Sequence, residues 1–179
     1  ALLIGALVVV AHLLDPLAWR VVQDPSAAGH DWHRLLRVCG FWPTWIPMAV
    51  AIGLQEQRPG RAGFLLAASG VSGLMANVLK IMLQRGRPGP SGEYVFNHFD
   101  GAWWDTGALG LPSGHTAVAF GAAWALVRLY PRGGWVAVAL AAGCGFTRVL
   151  DRAHFLSDAT LAAGVAWAVV AVMWSRWPR

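Results

Sequence analysis

Charge is scarce in this chain. Charged residues make up 13% of its 179 residues, where a soluble domain carries roughly 25%. With 56% hydrophobic residues beside it, that shortage excludes an ordinary soluble domain. Cysteine is almost missing too. Cys39 and Cys144 sit in or beside apolar segments at no metal-ligand spacing, and read as small buried hydrophobes. Lysine occurs once, as Lys80, whereas thirteen of the 14 basic residues are Arg. The net charge of +5 raises the question of nucleic acid. The basic residues, however, are scattered singly between apolar runs and form no stripe, which argues against that partner. A bilayer with anionic headgroups fits them better. There is no charged n-region of a signal peptide: the chain opens at Ala1, without Met, directly on apolar residues. A short N-terminal piece is therefore expected to be lost.

What is present is apolar length and tryptophan, eleven of them, a residue that concentrates at membrane–water interfaces. A spanning helix needs roughly 20 mostly apolar residues. Six segments approach that description: Ala1–Leu14 as a shortened first helix, Phe41–Leu54 with Pro43 and Pro47 imposing a kink or a late start, Ala62–Leu83, Ser113–Leu129, Trp135–Val149 and Phe155–Trp174. The third is rich in Gly, Ala and Ser, which allow helices to approach closely. Asp15 to Arg37 is mixed and reads as an interfacial connection, partly amphipathic helix. Gln84–Leu111 is the one long polar connection, carrying Glu93, His98, Asp100 and Asp105. The expected fold is all-α: a single domain over 1–179, six transmembrane helices in one bundle.

Connections of such a bundle alternate sides. The N-terminus, the second and fourth connections and the C-terminus carry Arg58, Arg61, Arg128, Arg132, Arg176 and Arg179 against one acid, Glu56. The positive-inside rule puts that side in the cytoplasm by a thin margin. The third and fifth connections then face outward.

Polar residues at the ends of these apolar runs carry the chemistry. Lys80 lies near the end of the third span. A chain that otherwise uses Arg has a reason for one compact ammonium, such as a point contact to phosphate, although a lysine snorkelling to the interface reads the same alone. Arg87 follows seven residues later, and Pro88 stops the helix. Pro112-Ser113-Gly114-His115 precedes an apolar run, so that Ser113 caps a helix whose free N–H groups and dipole attract an anion. Gly114 lets the ligand approach and His115 sits in the first turn. A capped helix start without a ligand is the plainer alternative. Arg148, His154 and Asp158 form the third cluster. His154 and Asp158, four apart, are expected on one helix face, with Asp158 holding one ring nitrogen and freeing the other to attack. A purely structural His–Asp pair is the other possibility. An acid at such depth costs roughly 2.5–3.5 kcal/mol even on insertion scales, which disfavours an unpartnered one. Cations, N–H donors, a nucleophile and a proton donor on one side of the membrane together describe phosphoryl transfer.

Lys80-(six residues)-Arg87-Pro88, Pro112-Ser113-Gly114-His115 and Arg148-(five residues)-His154-(three residues)-Asp158, in this order and spacing, resemble the three signature motifs of the type 2 phosphatidic acid phosphatase (PAP2) superfamily, motifs falling at 80–88, 112–115 and 147–158. Thr147 stands where that family usually has Ser and keeps the hydroxyl. The resemblance implies a lipid phosphatase in which His154 attacks phosphorus to give a phosphohistidine, Asp158 orients it, and His115 protonates the leaving oxygen and later activates water. It implies that Lys80, Arg87, Ser113, Gly114 and Arg148 hold the phosphate, and that no metal or other cofactor is needed; no carboxylate cluster suited to Mg²⁺ is evident. The expected location is a bacterial inner membrane, with the site facing the periplasm. The partners are a lipid phosphate and the bilayer. His98, Trp103 and Trp104, with Tyr94, Phe96 and Phe99, mark the third connection as a specificity loop, or else as an interfacial aromatic loop. Substrate candidates are undecaprenyl pyrophosphate, phosphatidylglycerol phosphate, phosphatidic acid and the lipid A phosphates. Competing activities are a lipid phosphotransferase with the same intermediate, a vanadate-dependent haloperoxidase, and a non-catalytic lipid-binding or transport protein.

Overall fold

A computed structural model of the protein describes residues 2–22, 24–99 and 103–177. Ala1, Asp100 and Arg179, which figured in the sequence reading, lie outside the described residues. Among the described residues seven α-helices follow one another: α1 Leu2–Val21, α2 Asp31–Val38, α3 Trp45–Glu56, α4 Pro59–Leu83, α5 Gly114–Leu129, α6 Gly134–Leu150 and α7 Leu156–Arg176. Helix α5 is the axle, packing against α4, α6 and α7, while α1 lies along α7 and α2 along α6. Its core face is almost all alanine: Ala119, Ala122, Ala123 and Ala125 are buried against Phe64, Leu65 and Ala68 of α4. Small side chains bring the backbones together, because helix association in lipid depends on van der Waals fit. A Cβ at Gly121 would stand 2.6 Å from Ser72 Oγ and 2.8 Å from the Ala68 carbonyl oxygen, so only glycine fits the α4–α5 crossing.

Large apolar side chains cover the outside: Leu3, Val9 and Leu13 on α1 and Leu74 and Met82 on α4 are exposed, as helices facing lipid require. Among the described residues, α1, α4 and α7 are long and apolar enough to cross a membrane. The α2–α3 pair adds a fourth only if its 87° bend counts as a broken span. The expected six spans are thus not established by length. Helix α3 has 12 residues, or about 18 Å at 1.5 Å per residue, against a hydrocarbon core of about 30 Å. Helices α5 and α6 have 16 and 17 residues.

The first helix corrects the sequence reading. It does not stop at Leu14 but runs through Asp15 and Pro16 to Val21. Asp15 is tolerated because its carboxylate is satisfied inside the protein, accepting from Ser157 N at 2.8 Å, Ser157 Oγ at 2.5 Å and Tyr94 Oη at 3.0 Å. A composition window counts the charge and misses the partners.

Candidate active site

Four helix ends converge at one end of the bundle. Helix α4 closes on Gln84, whose left-handed backbone (φ 50°) turns its N–H onto the Lys80 carbonyl at 2.9 Å, the αL type of C-cap. The chain then doubles back: Gly86 N donates to Val95 O at 2.7 Å and Gly110 N to Arg85 O at 2.8 Å. This folds the long connection over the end of α4, where Lys80 Nζ donates to the Thr106 carbonyl at 3.3 Å. The ammonium is buried, at 6% exposure, so it does not snorkel into solvent.

Helix α5 starts as the sequence predicts. Ser113 is its N-cap and accepts from Thr116 N at 3.4 Å and from Thr116 Oγ1 at 2.9 Å. Its backbone N–H donates to the Asp158 carbonyl at 3.1 Å, which locks the start of α5 to the start of α7. Gly40 packs under His115 so closely that a Cβ there would lie 2.7 Å from His115 Cβ and 2.9 Å from Cys144 Sγ.

Arg148 occupies the last turn of α6 and donates to Asp151 at 2.8 Å; the other Asp151 oxygen lies 2.8 Å from Nε2 of the fully buried His33 on α2. Ala153 N and His154 N both reach the Arg148 carbonyl at 3.2 Å. His154 therefore precedes α7, and the expectation of one helix face shared with Asp158 is wrong in its cause. Their approach, Nδ1 to Oδ2 at 3.5 Å, comes from capping: Asp158, third residue of α7, turns back to accept from Phe155 N at 2.8 Å and meets His154 on the way. Burial lowers the His154 imidazole below its usual range, against an opposing pull from Asp158. Burial thus favours the neutral ring; Nδ1 faces Asp158 and Nε2 is the remaining nitrogen.

Asp158 has a second partner that the spacing of the motifs did not reveal. Arg85, itself buried, forms an ion pair with Asp158 and donates to Ser157 Oγ at 2.8 Å. Its guanidinium is flanked by the rings of Tyr94 and Phe155, each centred 5.3 Å from Cζ. Asp15 completes the set through Ser157 and Tyr94. Desolvation, with Asp15 next to it, pushes the Tyr94 hydroxyl up to about 12, which keeps it a donor. The only hint in the sequence was an unexplained Arg85 beside Arg87.

These side chains surround a cavity of about 510 Å³ lined by Lys80, Arg87, Gly114, His115, Arg148 and His154. Ser113 and Asp158, both fully buried, do not line the cavity. From the long connection the cavity takes Thr106 and Gly107; Asn77 of α4 also lines it, as does an apolar flank of Trp42, Leu74 and Val118. His98, Trp103 and Trp104 lie exposed on the same connection and do not line the cavity. Among the described residues no three His, Cys, Asp or Glu side chains gather as a metal-binding group.

A pocket lined by three cations, a helix N-terminus and two histidines, at the end of an apolar helical bundle, is suited by charge and hydrogen-bond donors to a phosphate-like anion. The family model for the PAP2 superfamily matches residues 61–179, and the chain belongs to that superfamily. Over 98 residues, 54% of this chain, it is 40% identical to a lipid A 1-phosphatase of Rhizobium etli and equally to one of Rhizobium johnstonii. The matched stretch covers 40% and 38% of those two proteins, so the chain spans less than half the length of the curated relatives it matches. No solved structure matches it.

Proposed function

We propose that this chain is a membrane lipid phosphatase, a single domain of six membrane-crossing segments with its cavity on the periplasmic side of a bacterial inner membrane. The observation that carries the reading is the convergence of Lys80, Arg87, Arg148, His115 and His154 on one cavity. In the proposed reaction Lys80, Arg87, Arg148 and the Gly114 N–H hold the phosphate oxygens. His154 Nε2 attacks phosphorus in line as the P–O bond to the lipid breaks, and His115 gives its proton to the departing oxygen. His115 then takes a proton from water, which attacks the phosphohistidine and releases inorganic phosphate and free His154. Asp158 steadies the imidazole as it gains charge. No metal takes part.

The apolar flank of the cavity supports a phosphate carried on a lipid, and the likeness to two lipid A 1-phosphatases makes a lipid A phosphate the first substrate to try. Purified protein in detergent, offered lipid A, undecaprenyl pyrophosphate, phosphatidylglycerol phosphate and phosphatidic acid, is expected to release phosphate from at least one. His154→Ala is expected to abolish release with the fold intact. Near-normal turnover by that variant refutes the mechanism, and transfer of phosphate to a second lipid in place of release refutes hydrolysis.

A further inference from the structure

The opposite end of the bundle holds a second cationic chamber that the catalytic reading does not use. It lies where the α3–α4 turn, the α5–α6 turn and the end of α7 meet, a cavity of about 900 Å³ lined by Arg58, Arg61 and Arg128 over an aromatic floor of Phe64, Trp174 and Trp177. Lys80 and Arg61, on the same helix, are nineteen residues apart, or about 28 Å at 1.5 Å per residue, so the two cavities are separate.

Its charge is unbalanced. Among the described residues the acid at this end, Glu56, is already taken, by Arg61 at 2.6 Å and by the Tyr130 hydroxyl. Among the described residues no carboxylate pairs with Arg58 or Arg128. Two guanidinium groups thus line the cavity without an ion pair among the described residues, and the fork of Arg matches a phosphate.

The chamber also continues into an apolar groove. A neighbouring cavity of about 420 Å³ shares Arg128, Pro131 and Trp174 with it and is otherwise walled by groups such as Trp135, Trp167 and Val170. From Trp174, which both cavities share, to Trp167 is seven residues along α7, about 10 Å, so the groove runs from the cationic end toward the middle of the bundle. A small free anion has no use for such a groove. A molecule with an anionic phosphate head and an acyl tail fills both parts.

We propose that this end of the bundle is a binding site for an anionic phospholipid, with its headgroup phosphate on Arg58 and Arg128 and an acyl chain in the Trp135–Trp167 groove. Such a lipid would tie together the ends of α4, α5 and α7.

The test is native mass spectrometry and thermal unfolding of the full chain in zwitterionic detergent, with phosphatidylglycerol, phosphatidylcholine or inorganic phosphate added. One phosphatidylglycerol is expected to be retained and to raise the unfolding temperature, in the wild type and equally in Lys80→Gln/Arg87→Gln, which lacks two of the cations of the catalytic cavity. The Arg58→Gln/Arg128→Gln double variant is expected to bind roughly 25-fold more weakly, on the order of fivefold per arginine, with phosphate release unchanged. Equal binding of phosphatidylcholine, or undiminished binding by the double variant, overturns the proposal. Inorganic phosphate producing the same shift would make this a site for the free anion and also overturns it. Should the double variant fold poorly, competition on the wild type decides. Deacylated glycerophosphoglycerol is expected to displace the lipid poorly, and equal potency would remove the role of the groove.

Discussion

Breaking the pair between Arg85 and Asp158 separates a structural role from a catalytic one. Both side chains are buried, at 5% and 0% exposure, and each is the other's charge partner. Arg85→Met removes the cation with little loss of volume and leaves a carboxylate with no exposure to water. Removing one member of a buried pair costs about 3–5 kcal/mol, because the remaining charge is uncompensated. The hydrogen bond to Ser157 Oγ and the stacking on Tyr94 and Phe155 are lost as well. For a chain of this size about 2–4 °C of unfolding temperature corresponds to each kcal/mol, so a fall of roughly 6–20 °C is expected. The double variant Arg85→Met/Asp158→Asn removes both charges and should recover at least about 2 kcal/mol of the summed single losses. Phosphate release should not recover with it, because His154 still lacks its carboxylate. Thermal unfolding in detergent and initial rates on the four variants measure both quantities. Additive stability losses would show that the pair is not a coupled unit, and activity returning with stability would remove Asp158 from the reaction.

Gly40→Ala is expected to press on His115, since the new Cβ would meet His115 Cβ at 2.7 Å and the His115 carbonyl oxygen at 2.9 Å; phosphate release should drop at least about tenfold, and an unchanged rate would show that this contact gives way freely. Burial holds the His154 pKa below 6.5, so the nucleophile stays neutral to lower pH than a free imidazole, and the acidic limb of kcat/KM attributable to it should have its midpoint below 6.5; a midpoint above that value contradicts the burial argument. The same shift has a fixed sign for stability: as pH falls past about 6.5 the unfolded chain takes up the proton first, so this contribution is present above that pH and erodes below it, which unfolding curves at pH 7.5 and 5.5 would reveal. Asp15→Asn weakens the acceptor of Ser157 and Tyr94 and should lower the unfolding temperature by several degrees while reducing kcat more than it raises KM; an effect on KM alone would argue against its positioning α7.

Much of this protein was legible without coordinates. Apolar runs and their polar punctuation located α4 to α7 within a few residues, because lipid-facing helices must be apolar along their length and can carry charge only where a partner or water receives it. Lys80, Arg87, His115, Arg148 and His154 announced themselves as charged or titratable groups at the ends of those runs, and the structure gathers all five around one cavity. The partners behind that cavity were invisible. Arg85 reaches Asp158, Asp15 reaches Ser157, and His33 reaches Asp151 across 73, 142 and 118 positions of sequence, distances that no local pattern spans. Nor could spacing alone tell that His154 meets Asp158 through a capping turn and not along a helix face. The sequence by itself determined which residues could carry charge at the ends of apolar helices, since that is a question of composition along one segment. Tertiary structure alone decided which of them face the cavity and which neutralise one another behind it, since a buried charge is satisfied by whatever the fold brings within hydrogen-bonding distance.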